Sequence, residues 1–209
     1  MYIPRVNRET RVPVMHELIA AHPFGTLVSV GSSGLVASHI PIVLEQDGSE
    51  LGILRAHIAR ANPQWSDFNS SIDALAIFSG PHHYISASWY PGAKENGAVV
   101  PTWNYAVVHA YGPLRLVEDP ERLLDHLVKL ADIHEAGSAN PWKVSDAPAE
   151  FIREQMRGIV GLEIPIRRLE GKWKVSQNRN ERDRNAVLEG LADLGTPESL
   201  TMKRLVEGR

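Results

Sequence analysis

Apolar runs of strand length succeed one another early in this 209-residue chain: FGTLVSV (24–30), LVASHIPIVL (35–44), LGILRAHIA (51–59) and DALAIFSG (73–80). The turn sequences GSSG and EQDGSE separate the first three, with no helix-length segment between them. Strands joined by tight turns pair antiparallel, so this order argues against the strand–helix alternation of a doubly wound sheet. Neither G-x-G-x-x-G nor a P-loop sequence is present, so a dinucleotide fold has no support from motifs.

The remaining segments fit the same plan. Val14, Met15, Leu18 and Ile19 recur at helical spacing in 11–21, and Asn62-Pro63 opens a short helix in 60–68. Residues 90–98 read as a loop. A long strand is expected from about 100 to 117, bending near Gly112-Pro113. Helix 120–135 carries a stripe of Leu123, Leu124, Leu127, Leu130, Ala131 and His134. A second helix is expected from SDAPAEFIREQM with Ser145 or Asp146 as cap, then a strand over 159–175. The tail 181–209 is helical in pattern with a break at Gly195-Thr196-Pro197. The expected architecture is mainly β with α: a closed or half-closed antiparallel barrel with peripheral helices, spanning 1–178, followed by a helical tail, 179–209.

Composition narrows the chemistry. There are no cysteines, which removes disulfides, thiol catalysis and thiolate-bound clusters and fits a cytoplasmic address. The net charge of −3 gives no general attraction to nucleic acid or anionic membranes. The N-terminus lacks the apolar segment of a secretory signal, and no stretch has the length of a membrane span. His82 and His83 are adjacent and would point to opposite faces of a strand, so they do not suggest chelation, and no metal is expected.

Three stretches carry concentrated polar chemistry. In LRAHIARANPQW (54–65), Arg55 and His57 share a strand face, and Arg60 precedes the Asn62-Pro63 helix start. Basic side chains at free backbone N–H groups can hold a phosphate, although Asn-Pro is equally an ordinary helix opening. If 101–112, which begins PTWNYAVVHA, is a strand, Trp103, Tyr105, Val107, His109 and Tyr111 share one face, and Thr102, Asn104, Ala106, Val108 and Ala110 the other. The small face would admit a planar ring, or else a closely packed helix, which is the commoner use of such a stripe. In GKWKVSQNR (171–179), Lys172, Lys174, Ser176, Gln177, Asn178 and Arg179 offer more hydrogen-bonding types than a turn needs, including donors for carbonyl and phosphate oxygens, although a polar strand end and turn is the plain alternative.

Taken together, MYIPR, AHPFGTLVS, AHIARANPQW, YISASWY, VVPTWNYAVVHAYG, PWKVSDAP, GIVGLEIPI and GKWKVSQNR resemble the PaiB family of FMN-binding negative transcriptional regulators, over nearly the whole chain to about residue 190. The resemblance implies an FMN-binding split β-barrel similar to pyridoxamine phosphate oxidase, assembled as a homodimer. It implies His57, Arg60 and Asn62 on the phosphate side. Thr102, Trp103, Asn104 and Tyr105 would line the ring or ribityl chain, with Lys174, Ser176, Gln177 and Asn178 completing the site. Ala87 stands where the family often has Pro, and Gly92 where it often has Ser. The implied role is negative regulation of transcription, with an FMN-dependent oxidoreductase as the alternative. A haem-holding module is a third reading, with His39, His57, His82, His83 and His109 as axial candidates. The run RNERDR (179–184) is the best local candidate for DNA contact, diluted by Glu181 and Asp183.

Overall fold

The computed structural model describes residues 1–95 and 97–208. Its strands are β1 (Arg8–Glu9), β2 (Phe24–Gly31), β3 (Gly34–Glu45), β4 (Ile53–Ala59), β5 (Ala74–Ile85), β6 (Thr102–Gly112), β7 (Arg115–Val117), β8 (Ile159–Pro165) and β9 (Arg168–Lys174). Its helices are α1 (Val12–Ala21), the four-residue α2 (Gly92–Glu95), α3 (Pro120–Glu135), α4 (Ala149–Arg157), α5 (Glu181–Leu194) and α6 (Pro197–Glu207). Among the described residues, no helix is long and apolar enough to cross a membrane. The sheet is antiparallel, and it does not close on itself among the described residues.

Two compact units are present. The first comprises residues 1–21, 79–109 and 170–209. It carries the strand order β1-β9-β6-β5, with Arg8 opposite Lys172 and Glu9 opposite Gly171. Residues 181–207 supply α5 and α6, whose Val187, Leu191, Met202 and Val206 are buried. Gly195 ends α5 in the left-handed region, and the Thr196 side chain accepts from the Ser199 N–H to start α6. Gly190 lets α5 approach closely: a Cβ there would stand 2.3 Å from the Trp89 ring.

The second unit comprises residues 22–78 and 110–169, with the order β5-β2-β3-β4-β8-β7. Thr26 lies opposite His39 in the β2–β3 hairpin, and His57 lies opposite Gly161 in the β4–β8 pair. Leu27, Ile42, Leu54, Ile58, Phe78, Leu162 and Ile164 form its apolar interior. The amide of the buried Gln64 donates to the Leu27 and Val36 carbonyls and to Ser29 Oγ. That fixes the Pro63–Trp65 turn against the β2–β3 hairpin.

The expected elements are present, with informative differences. The 159–175 segment is two strands, because Pro165 has no N–H to continue a ladder. Beyond it, the N–H groups of Ile166 and Arg167 turn to the carbonyls of Gly52 and Tyr111. Helix α4 starts later than Ser145 or Asp146. Pro148 holds Ala147 extended, and Asp146 instead accepts from the Lys143 N–H in a separate turn. The stripe on α3 is shifted as well: Leu123 and His126 are its buried members, whereas Leu124 and His134 are exposed.

Candidate functional site

The start of β6 meets the end of β9 in the first unit, and polar groups converge there. The Lys174 ammonium donates to the Trp103 carbonyl at 2.7 Å and to Thr102 Oγ1. One turn residue on, the buried Ser176 Oγ accepts from the Asn104 amide at 2.9 Å. Gln177 closes the turn, its Oε1 accepting from the Val175 N–H at 2.7 Å. Hydrogen bonds therefore join Lys174 to Thr102 and Trp103, and Ser176 to Asn104, while Gln177 bonds within its own turn. Asn178 is exposed beside them in the chain, and Tyr105 lies under the Lys172 ammonium at 5.1 Å.

Two features of this constellation go beyond what a turn requires. Ser176 has φ 64, making it the one non-glycine residue with positive φ among the described residues. An L-residue held there stores backbone strain of about 1–2 kcal/mol, which occurs where surrounding contacts over-determine the conformation. The second feature is charge. The Lys174 pKa is lowered, first by burial and then by the neighbouring cations Lys172 and Arg179. A half-buried ammonium crowded by like charge is stabilised by an arriving anion.

The two faces of β6 are used differently from each other. Asn104, Ala106, Val108 and Ala110 are buried. A Cβ on Gly80 would stand 2.8 Å from Leu18 Cδ1 and 3.1 Å from the Ala106 carbonyl. The small face from Ala106 onward is thus packed within the protein, the alternative use of that stripe. The aromatic face is the open one: Trp103 is 53% exposed, with the Tyr84 ring 6.0 Å away edge-on and the His82 ring at 5.8 Å.

In the second unit, His57, Arg60 and Asn62 follow one another from the end of β4 into the Pro63–Trp65 turn, and each has partners inside the chain. His57 Nδ1 lies 3.1 Å from His126 Nε2, so one nitrogen donates and the other accepts. Arg60 donates from Nε to the Arg157 carbonyl at 2.9 Å and from Nη2 to the Ile159 carbonyl at 3.0 Å. Asn62 accepts from the Gln64 N–H and donates to Ser38 Oγ. The expected Asn62 cap and Pro63 position are as observed.

Sequence reasoning gathered Lys172 and Arg179 with Lys174 in the 171–179 run but left both out of the expected site, and it did not single out His126 as the partner of His57. Lys172 and Lys174 alternate on a strand and so share a face, a signal that was available. The left-handed backbone of Ser176 left no signal, because serine is not the residue type that marks such a position.

Comparison with known proteins agrees with this architecture. Residues 1–168 match the family described as "Putative FMN-binding domain". The Bacillus subtilis protease synthase and sporulation protein PAI 2 is 34% identical over 209 residues, covering 100% of this chain and 98% of that protein. The flavocytochrome Anf3 of Azotobacter vinelandii superposes with a TM-score of 0.62 at 12% identity, over 82% of this chain and 72% of its own. An FAD- and haem-binding protein of Mycobacterium smegmatis does so at 0.60 and 14%, over 80% and 73%. These two show the shared split-barrel fold. On its sequence match along the full length, the chain belongs to the PaiB family of FMN-binding proteins.

Proposed function

We propose that this chain binds FMN as a homodimer and acts in negative regulation of transcription. The observation that carries the flavin reading is the pairing of a strained, buried Ser176 with the crowded Lys174 ammonium. Together they present a fixed polar turn beside an ammonium crowded by like charge, which suits an anionic and polar ligand such as FMN. Thr102, Trp103, Asn104 and Tyr105 with Lys174, Ser176, Gln177 and Asn178 are the residues proposed to hold it. His57, Arg60 and Asn62 are the proposed second set, on the phosphate side. The regulatory role rests on kinship with the Bacillus subtilis protein, whose name ties it to protease synthesis and sporulation.

Lys174 holds Thr102 and the Trp103 carbonyl, and Ser176 holds Asn104, so part of the first set is ordered before binding. Bound flavin supplies reversible hydride and electron chemistry. Equilibrium titration of the apoprotein with FMN and with riboflavin tests the reading. FMN should bind at least about tenfold more tightly, since a charge-assisted phosphate contact is worth about 1.5–3 kcal/mol. Equal affinities would remove the phosphate site. A sedimentation measurement reporting a monomer would sink the dimer, and the regulator requires a salt-sensitive shift of promoter DNA.

A second reading, an FMN-dependent oxidoreductase on a small molecule, is favoured by the fate of the 179–184 run. Arg179 lies over the Tyr90 ring at 4.8 Å, Arg182 pairs with Glu95, and Arg184 donates to the Val206 carbonyl at the end of α6. Each arginine is engaged within the chain, which weakens the local case for DNA contact. Bleaching of the flavin band at about 450 nm on anaerobic addition of NADH or NADPH would select this reading.

A further inference from the structure

A solvent-open cleft of about 470 Å³ runs along α4 and the start of β8 in the second unit. Val117, Leu123, Met156 and Val160 contribute buried apolar side chains to it. Arg60, Arg153 and Arg157 line it too, against a single lining acid, Glu118. Arg60 is committed to the carbonyls of Arg157 and Ile159, pinning the turn from α4 into β8. Arg153 and Arg157 are not so committed. They stand four apart on one helix face, where like charges destabilise a helix by about 0.2–0.5 kcal/mol. Among the described residues, neither has a carboxylate within ion-pairing distance.

A floor of buried hydrocarbon beside two uncompensated guanidinium groups is complementary to one kind of small molecule. An inorganic anion would meet the arginines and leave the floor wet. A neutral apolar molecule would cover the floor and leave both guanidinium groups without an acceptor. A carboxylate forked by a guanidinium, with its hydrocarbon body on the floor, satisfies both. We propose that this cleft binds a small monocarboxylic acid with an apolar tail of about eight carbons, a size in keeping with ordinary ligand pockets. The site is separate from the flavin proposal in its decisive residues, since Arg153, Arg157 and Met156 are not among those proposed to hold FMN.

The test uses the full chain loaded with FMN and titrated calorimetrically with octanoate, 1-octanol and inorganic phosphate. Octanoate should bind saturably, with 1-octanol and phosphate each weaker by at least about tenfold, the worth of one charge-assisted contact. The double substitution Arg153→Ala, Arg157→Ala should weaken octanoate by at least about tenfold and leave the flavin spectrum unchanged, while Arg153→Lys, Arg157→Lys retains part of the affinity. Both arginines are exposed, so near-ultraviolet circular dichroism should report an intact fold in each variant. The proposal is overturned if octanoate does not bind, if 1-octanol binds equally well, or if the alanine variant binds as the parent does. Release of FMN by octanoate would also overturn it, by making the cleft part of the flavin site. Failure of the parent chain to take up FMN, with octanoate binding kept, would count against the FMN reading alone.

Discussion

His57 on β4 and His126 on α3 face each other with Nδ1 and Nε2 3.1 Å apart and their rings edge to face. The pair sits among charges from three strands and the helix itself. Glu45 attracts a proton to His126, whereas His57, Arg55 and Lys129 repel it. Nearby, Glu163 pairs with both Arg55 and Arg122. Burial dominates, and it pushes the His126 pKa down to about 4, with His57 lowered in the same direction for the same reason. Both imidazoles are therefore neutral in the fold near neutral pH, and the pair fastens α3 to β4.

The first prediction follows from proton linkage. The unfolded chain binds a proton at His126 near pH 6.5, whereas the folded chain does so near pH 4, so stability rises with pH across that window. It is fully present above about pH 6.5 and is lost as pH falls toward 4, by up to about 3 kcal/mol for this residue. Urea unfolding at intervals between these limits should show a flatter dependence in His126→Leu than in the parent. Superimposable slopes would show that His126 does not titrate this way.

The second prediction concerns Ser176. Ser176→Ala removes the acceptor for the buried Asn104 amide and keeps the left-handed strain, at a cost of about 1–3 kcal/mol. Ser176→Gly loses the same hydrogen bond but relieves the strain, so it should be more stable than the alanine variant by about 1 kcal/mol. Denaturant midpoints decide it, and a glycine variant no better than alanine would mean that the backbone is unstrained.

Helix α5 gives a third. Gly190→Ala places a methyl group within the Trp89 ring envelope, 2.7 Å even from the ring's Cγ. Destabilisation of about 1–3 kcal/mol is expected, in keeping with overpacking. Replacing Trp89 with a smaller residue in the same chain should recover part of it. Unchanged thermal midpoints in Gly190→Ala would show that α5 is free to shift.

The fourth separates the two candidate sets for the flavin phosphate. Lys174→Ala should lower FMN affinity by at least about tenfold through loss of a charged contact. Arg60→Ala with Asn62→Ala should do so only if the second set takes part. Flavin fluorescence titration of each variant reads both effects. A Lys174→Ala chain that binds FMN as the parent does would dismiss the first set's main donor.

Much of the scaffold is legible in the sequence because its signals are local. Asn62-Pro63 opens its turn and Gly195-Thr196-Pro197 breaks the tail, each through the conformational bias of the residue itself. Alternation along β6 likewise separates Trp103 and Tyr105 from Asn104 and Ala106. The polar run at 174–178 and the start of β6 stand out as residue types too costly to place in a core without partners.

Which partner each of those groups takes is decided only in three dimensions. Asn104 and Ser176 are 72 residues apart in the chain, and His57 and His126 are 69 apart. No local pattern brings such pairs together; sheet order and helix docking do. The same holds for the faces of β6, since alternation fixes which residues share a side but not which side is covered. The sequence by itself determined the succession of most strands along the chain, the turns and the family. Tertiary packing decided that the small face of β6 is closed, that Ser176 is forced left-handed, and that the arginines of 179–184 are spent within the chain. Desolvation and charge pairing depend on neighbours brought in from distant segments, and they are settled only when those segments pack.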